Sequence, residues 1–162
     1  AIGSRVAELC HLFGCEIAAY DLFPKKNAPE YLHYGTLEEV LSKSDIVTLH
    51  CPLTEDSRNL INQDRIAQMK KGAILINAAR GPIVDSKALA DALNSGYLRG
   101  AGVDVFEMEP PLPMDHPLLH SINTIVTPHI AFASDESMEI RAKIVFENIQ
   151  KWMNKEQVNT IL

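Results

Sequence analysis

Five short apolar runs alternate with segments of helical periodicity, and this alternation constrains the fold more than any other feature. The runs cover residues 17–20, 46–49, 73–76, 102–106 and 124–127. Each run is continuous rather than alternating with polar residues, as expected of strands buried on both faces. Strands that alternate with helices predict a parallel sheet with helices on both faces. We therefore expect an α/β fold built on a doubly wound parallel sheet.

Local signals bound the helices between these strands. Helices are expected from the first residues to Gly14 and over 36–45, 62–72, 85–96 and about 134–154. Thr36 is followed three residues later by Glu39, which is the pattern of a capping box. Glycine at the end of an apolar helical stripe favours a helix stop there. The predicted order is helix and strand in alternation, closing on the longest helix.

The opening residues Ala1-Ile2-Gly3 read as the last positions of a glycine-rich turn that leads into a helix. In a doubly wound nucleotide-binding domain, a strand and G-x-G-x-x-G precede such a helix. Asp21 stands eighteen residues after Gly3, close to the spacing of the acid that binds an adenosine ribose. An ordinary surface helix followed by a strand-end acid fits this half-motif as well, so the function must be argued from other segments.

The strongest segment is GAILINAARGPIVD, residues 72–85. A buried strand leads into two alanines and then Arg80, and ligands of open parallel sheets bind at the carboxyl ends of strands. A guanidinium held there can bind a carboxylate with two hydrogen bonds, and the small neighbours allow close approach. The alternative is a surface arginine that pairs with an acid at a helix end.

Acidic residues and a histidine follow two later strands. Asp104 falls inside the expected strand 102–106, where a carboxylate needs a partner. Glu109 precedes Pro110-Pro111, Glu107 is a rival carboxylate, and either acid alone also fits a solvated loop. His129 follows the last strand and suits proton transfer near neutral pH. A nearby carboxylate would orient the ring and favour its protonated form.

Other residues offer less. The remaining histidines lack such a setting, except His50 at a strand end; they are His11, His33, His50, His116 and His120. Cys51 has no activating base that the sequence can identify, and three cysteines without metal-type spacing predict reduced thiols. No P-loop, zinc or serine-hydrolase motif occurs, and no metal site is expected.

Composition excludes some classes of partner. The net charge is −6 with no basic cluster, which disfavours electrostatic binding to nucleic acid. No apolar run approaches the roughly 20 residues that span a bilayer, and no signal peptide is visible at the start. These features predict a cytoplasmic protein without a membrane partner.

Taken in order, the segments AIG, YD, LHCPLT, NAARGPIVD, GVDVFEMEPP and TPHIA resemble the NAD-binding domain of the D-isomer-specific 2-hydroxyacid dehydrogenases. The resemblance runs along essentially the whole chain. Within that family, EPPLPMDHPLL and TPHIAFAS are most similar to glycerate dehydrogenases (hydroxypyruvate reductases). Many other members carry Gly-Gly where this chain has Ala131-Phe132.

The resemblance implies roles for individual residues. Arg80 would hold the substrate carboxylate, His129 would protonate the carbonyl oxygen, and Glu109 rather than Glu107 would be the partner of that histidine. The implied cofactor is NAD, preferred over NADP because Asp21 would repel a 2′-phosphate. The implied cofactor-binding residues are Ala1, Ile2, Asp21, Cys51, Pro52, Ser57, Ala78, Ala79, Arg80, Asp104, His129, Ile130 and Ala131.

The implied activity is the interconversion of a 2-oxo acid and a D-2-hydroxy acid, with hydroxypyruvate or glyoxylate as substrate. Lactate, 3-phosphoglycerate and bulkier acids are the main alternatives, followed by formate or phosphite chemistry and an NAD-sensing role like that of the C-terminal-binding-protein corepressors. Residues 1–162 would form one dinucleotide-binding domain that lacks its first strand and two glycines, with about 134–162 leading toward an absent substrate domain. A homodimer is expected for the intact protein.

Overall fold

The computed structural model describes residues 2–108 and 111–160 as five α-helices and six β-strands. The helices are α1 (Ile2–Leu12), α2 (Leu37–Lys43), α3 (Gln63–Gln68), α4 (Ser86–Asn94) and α5 (Asp135–Met153). The strands are β1 (Ile17–Ala19), β2 (Leu32–Tyr34), β3 (Ile46–Leu49), β4 (Ile74–Asn77), β5 (Gly100–Val103) and β6 (Thr124–Val126). Short 3₁₀ turns cover Gly81–Ile83 and Pro117–Leu119.

Every strand pair in the described residues is parallel. One ladder joins β1 to β2, and a second ladder joins β3, β4, β5 and β6 in that order. Helices α2, α3 and α4 separate β2 from β3, β3 from β4 and β4 from β5. The expected α/β fold with a parallel sheet is therefore confirmed.

Two strand predictions were wrong in detail. β2 was not expected, because three residues with an exposed His33 in the centre make no apolar run. β5 ends at Val103 rather than at Phe106, so Asp104 follows the strand instead of lying inside it. Asp104 is nevertheless buried, with 6% of its surface exposed, so the need for a partner remains.

The core lies on one face of the four-stranded sheet. Val47, Leu75 and Val103 point to this face and pack with Leu41 of α2, and the same cluster includes apolar residues of α3 and α4. The opposite face carries exposed isoleucines, such as Ile125 with 74% of its surface exposed. The expectation of strands buried on both faces is therefore wrong for the described residues, because α2, α3 and α4 all cover the same face.

The helix ends follow local sequence signals. Thr36 and Glu39 form the predicted capping box at the start of α2, with both reciprocal hydrogen bonds present. Asp85 caps α4 by accepting a hydrogen bond from the Ala88 N–H, and Ser134 caps α5. Gly14, which follows α1, has a φ of +86°, the left-handed conformation that favours glycine at a helix end.

The chain divides into two compact units, residues 1–128 and 129–162. The first contains both ladders and α1 to α4. The second contains α5, whose side chains are not buried and include Phe146 and Trp152. In the described residues, no helix has the length and apolar character needed to cross a membrane.

Candidate active site

The register of the sheet brings the predicted strand-end residues into line. The last residues of the four strands are paired neighbours: Leu49, Asn77, Val103 and Val126. The residues that follow form a row along the carboxyl edge: His50, Ala78, Asp104 and Thr127. Ala78 is exposed in this row, and Ala79 and Arg80 come directly after it. The edge at which ligands of open parallel sheets bind therefore carries several of the predicted residues.

Arg80 lies in a turn that a buried asparagine holds in shape. The Asn77 side chain is 1% exposed, and its Nδ2 donates to the Arg80 carbonyl oxygen at 3.0 Å. Its Oδ1 accepts a hydrogen bond from the Ala79 N–H at 3.1 Å. The guanidinium Nη1 donates to the Ala79 carbonyl oxygen at 2.6 Å, which uses one of its five N–H groups. Arg80 is exposed, so an anchored cation faces solvent at the carboxyl edge.

Gly81, the next residue, packs directly against a second segment of the chain. A Cβ added at Gly81 would lie 1.8 Å from the carbonyl carbon of Phe106 and 2.4 Å from the nitrogen of Glu107. No side chain fits in that space. The turn that carries Arg80 therefore touches the loop that leaves β5.

Asp104 has the partner that its burial requires. Its Oδ1 accepts a hydrogen bond from the Thr127 hydroxyl at 2.5 Å, and its backbone N–H donates to the Asn77 carbonyl oxygen. The Thr127 N–H in turn donates to the Val103 carbonyl oxygen. Three neighbouring strand ends are thus joined by hydrogen bonds beyond the sheet itself.

Asp21 and Cys51 lie close enough to interact electrostatically. Partial burial raises the pKa of the Cys51 thiol, a hydrogen bond to its own backbone opposes this, and the charge of Asp21 raises the pKa further. A thiol with a raised pKa is a weak nucleophile at neutral pH. Burial lowers the pKa of neighbouring His50, which favours its neutral form. Cys51 is therefore not an activated nucleophile.

Two further polar residues shape the ends of β1 and β3. The exposed carboxylate of Asp21 accepts a hydrogen bond from the Phe23 N–H at 2.9 Å. The Lys25 ammonium donates to the Ser4 hydroxyl in the first turn of α1 at 3.0 Å. The Ser57 hydroxyl donates to the Pro52 carbonyl oxygen at 2.7 Å and accepts from the Thr54 N–H. Ser57 thus organises the loop that holds Cys51 and Pro52.

His129 is the first residue of the second unit. It is half-buried, its φ is +57°, and its ring packs edge-on against Phe132 with centroids 5.8 Å apart. Phe132 also lies under the Arg141 guanidinium at 5.3 Å. Ile130 and Ala131, which follow His129, are exposed. A non-glycine residue with positive φ is uncommon and is often found at functional sites.

Two predicted residues, Ala1 and Glu109, lie outside the described residues, whereas Ile2 is exposed at the start of α1. The rival acid Glu107 is described. Its Oε2 accepts a hydrogen bond from the Ser86 hydroxyl at 2.8 Å, and its Oε1 lies 3.0 Å from the Nε2 of His116. His116 is 5% exposed and follows no strand, but it contacts a carboxylate, which was not expected from the sequence. Its burial depends on how the loop returns, which the sequence does not reveal.

Sequence reasoning also missed the roles of Asn77 and Thr127. Both residues end or follow an apolar strand, and each is a polar group at the edge where ligands bind. A polar residue that directly follows a buried strand is the signal that could have identified them. They form hydrogen bonds to Arg80 and Asp104, which were predicted.

Comparison with known proteins identifies the family. The family model for the D-isomer specific 2-hydroxyacid dehydrogenase, NAD binding domain, matches residues 1–131. This chain belongs to that family. Its expected NAD-binding fold is confirmed at this level.

Individual relatives agree with the match. This chain is 43% identical to a glyoxylate reductase of Korarchaeum cryptofilum, over 91% of its own length and 45% of that protein. It is 39% identical to a glycerate dehydrogenase of Methylorubrum extorquens, over 99% of this chain and 50% of that protein. The D-lactate dehydrogenase of Aquifex aeolicus, solved with NAD and lactic acid, superposes with a TM-score of 0.88 at 35% identity, over 96% of this chain and 51% of that one. The chain therefore spans about half the length of these relatives.

Proposed function

We propose that the protein is an NAD(H)-dependent oxidoreductase that interconverts a 2-oxo acid and a D-2-hydroxy acid. One observation carries the proposal: Arg80 is exposed in a turn fixed by Asn77, at the carboxyl edge of an NAD-binding domain. A guanidinium is the side chain best suited to hold a carboxylate through two parallel hydrogen bonds. The substrate class follows from this chemistry.

The charges of the reaction explain why an arginine is needed. Bound NADH supplies a hydride to the carbonyl carbon of the 2-oxo acid. Negative charge then develops on the carbonyl oxygen, beside a carboxylate that is already negative. Arg80 offsets both charges from a fixed position, and such preorganised stabilisation is usually the largest single contribution to catalysis.

The proton for the developing alkoxide is assigned to His129. An imidazolium placed within hydrogen-bond reach would donate this proton as the hydride arrives, and such general acids contribute typically about 10²–10⁴-fold. Glu109 is proposed as the carboxylate that orients His129. Family resemblance supports both roles, together with the position of each residue after a strand of the sheet.

The described residues fit a dinucleotide along the carboxyl edge. Ala78 is small and exposed, so a flat ring could approach the end of β4. Asp21 is an exposed carboxylate close to Cys51, suited to accept hydrogen bonds from ribose hydroxyls. The same carboxylate would repel a 2′-phosphate, whereas the nearby cation Lys25 is bound to Ser4. We therefore propose NAD rather than NADP, with the remaining contacts from Ile2, Pro52, Asp104, Ile130 and Ala131.

Hydroxypyruvate or glyoxylate is the proposed substrate. The segments 109–119 and 127–134 resemble those of glycerate dehydrogenases, and the relatives include a glyoxylate reductase and a glycerate dehydrogenase. A cytoplasmic homodimer is proposed as its state in the cell. Light scattering of the full-length protein would test the assembly.

The test is oxidation of NADH by the full-length protein with hydroxypyruvate, glyoxylate, pyruvate and 3-phosphohydroxypyruvate. We expect hydroxypyruvate to have the highest kcat/KM. Arg80→Ala should lower that value by about 100-fold or more, and Arg80→Lys should restore only part of it. Arg99→Ala is the matched control. Arg99 is exposed and directly precedes β5, at the opposite end of that strand from the site. An unchanged kcat/KM in Arg80→Ala would contradict the proposal.

A further inference from the structure

A three-residue hydrogen-bonded cluster joins the turn of Arg80 to the loop that leaves β5. The cluster consists of Ser86, Glu107 and His116, and we call it the clasp. Ser86 begins α4, six positions after Arg80, whereas Glu107 and His116 stand at the two ends of the segment 107–116. Both oxygens of the Glu107 carboxylate are engaged, one by Ser86 and one by His116.

Hydrogen bonds define which nitrogen of His116 donates. Its Nδ1 accepts a hydrogen bond from the Leu118 N–H at 3.3 Å, so in the neutral ring the proton resides on Nε2. That Nε2–H donates to Glu107 at 3.0 Å. The ring also packs edge-on against Phe106, with centroids 5.3 Å apart. A buried imidazole with both nitrogens satisfied is held in one orientation.

The clasp lies against the arginine turn. Gly81 contacts the backbone of Phe106 and Glu107 so closely that no Cβ would fit between them. The Ser86 hydroxyl donates to Glu107 rather than to His116, so the three residues are not arranged as a nucleophile with its base. Their geometry instead fixes the distance between the turn at 80–86 and the two ends of 107–116.

We propose that Ser86, Glu107 and His116 are positioning residues. They hold Arg80 and the segment 107–116 in the relative position that the reaction requires. The inference rests on the proposed function, because the segment contains Glu109 in sequence. None of the three contacts substrate in this account. A displacement of about 1 Å in a reacting group can cost about 100-fold in rate, so the clasp affects turnover more than binding of the nucleotide.

The experiment compares His116→Ala with His116→Gln, and Ser86→Ala with Ser86→Thr, in the full-length protein. Gln retains an N–H donor for Glu107, and Thr retains the hydroxyl. We expect His116→Ala to lower kcat/KM for hydroxypyruvate by about 10- to 100-fold, with partial rescue in His116→Gln. Ser86→Ala should show a smaller loss that Ser86→Thr restores. The Kd for NADH should stay within about twofold of the wild-type value.

Two results would overturn the proposal. One is a lower Tm with kcat/KM unchanged in His116→Ala and Ser86→Ala, which assigns the clasp to stability alone. The other is an equal loss of NADH affinity and turnover. Absence of wild-type turnover on any 2-oxo acid would count against the proposed function instead. In that case, hydrogen exchange tests whether the clasp joins the two segments at all: unchanged exchange at the His116 and Leu118 amides in Ser86→Ala refutes the proposal.

Discussion

The side-chain amide of Asn77 donates to the carbonyl oxygen of Arg80 at 3.0 Å, from a position with 1% of its surface exposed. This bond, with the one from the Ala79 N–H to Asn77 Oδ1, defines the turn that presents Arg80. Asn77→Asp keeps the shape of the side chain but replaces the Nδ2 donor with an oxygen. That oxygen would face the Arg80 carbonyl oxygen, which is also an acceptor. We expect a loss of about 1–3 kcal/mol of unfolding free energy, with kcat/KM for the 2-oxo acid falling more than NADH affinity.

Urea unfolding and steady-state kinetics measure both effects. Asn94→Asp is the matched control, because Asn94 is exposed and its Oδ1 already acts as an acceptor, for the Ile122 N–H. That variant should remain within about 1 kcal/mol of wild type. Equal stability of the two variants would show that Asn77 does not hold the turn.

The Thr127 hydroxyl supplies a hydrogen bond to the buried Asp104 carboxylate. Thr127→Val keeps the branched shape and removes the donor, so Asp104 loses a hydrogen bond at a site with little access to water. Hydrogen bonds to charged groups contribute about 1.5–3 kcal/mol, and we expect a loss of that size in urea unfolding. Thr127→Ser retains the hydroxyl and should lose less. A larger loss in the serine variant would assign the role to the methyl group.

Gly81 is required by close packing rather than by backbone conformation. Gly81→Ala would place a methyl group 1.8 Å from the Phe106 carbonyl carbon, and neither backbone can give way without moving the clasp or the arginine turn. We expect destabilisation of about 3 kcal/mol or more, as for severe overpacking, measured as a fall in Tm. Gly102→Ala is the control: its nearest neighbour would lie at 3.9 Å, an ordinary contact. Similar Tm values for the two variants would contradict this packing.

Glu107 makes stability depend on pH in a defined direction. Partial burial raises its pKa, but hydrogen bonds from its own backbone, Ser86 and His116 outweigh burial and hold the pKa below its ordinary value of 4.5. A carboxyl with a depressed folded pKa stabilises the fold above its unfolded pKa and loses that contribution as pH falls through the folded value.

We therefore expect the Tm of wild type to fall on acidification below about pH 4.5, and to fall more steeply than the Tm of Glu107→Gln. Differential scanning calorimetry from about pH 7 to about pH 3 measures the difference, and low salt avoids screening of the partly exposed carboxylate. Parallel curves for the two proteins would show that Glu107 has no favourable partners when folded.

The helices and most strands could be predicted because their signals are local. Thr36 with Glu39, Asp85 and Ser134 each cap a helix through neighbours within three residues. β2 could not be predicted, since three residues become a strand only through their ladder with β1. The end of β5 was misplaced because Val105 is apolar and buried, although it lies beyond the ladder.

The candidate site divides in the same way. Arg80 follows a strand, and the rule that ligands bind at carboxyl ends was enough to select it. Asp104 was selected because a carboxylate in an apolar run needs a partner. Asn77 acts on Ala79 and Arg80, two and three positions after it. His116 gains its role from a residue brought close only by the fold, Glu107, nine positions before it. Glu107 and Glu109 both precede the same two prolines, so spacing alone does not separate their roles. Glu107 is assigned to the clasp by its contacts with Ser86 and His116.

We propose that the protein transfers a hydride from NADH to a 2-oxo acid. The most direct measurement is the product of a single reaction of the full-length protein with hydroxypyruvate and NADH, analysed by chiral chromatography beside the absorbance of NADH. We expect one D-glycerate for each NADH consumed. L-glycerate, or NADH that binds without being consumed by any of the 2-oxo acids, would contradict it.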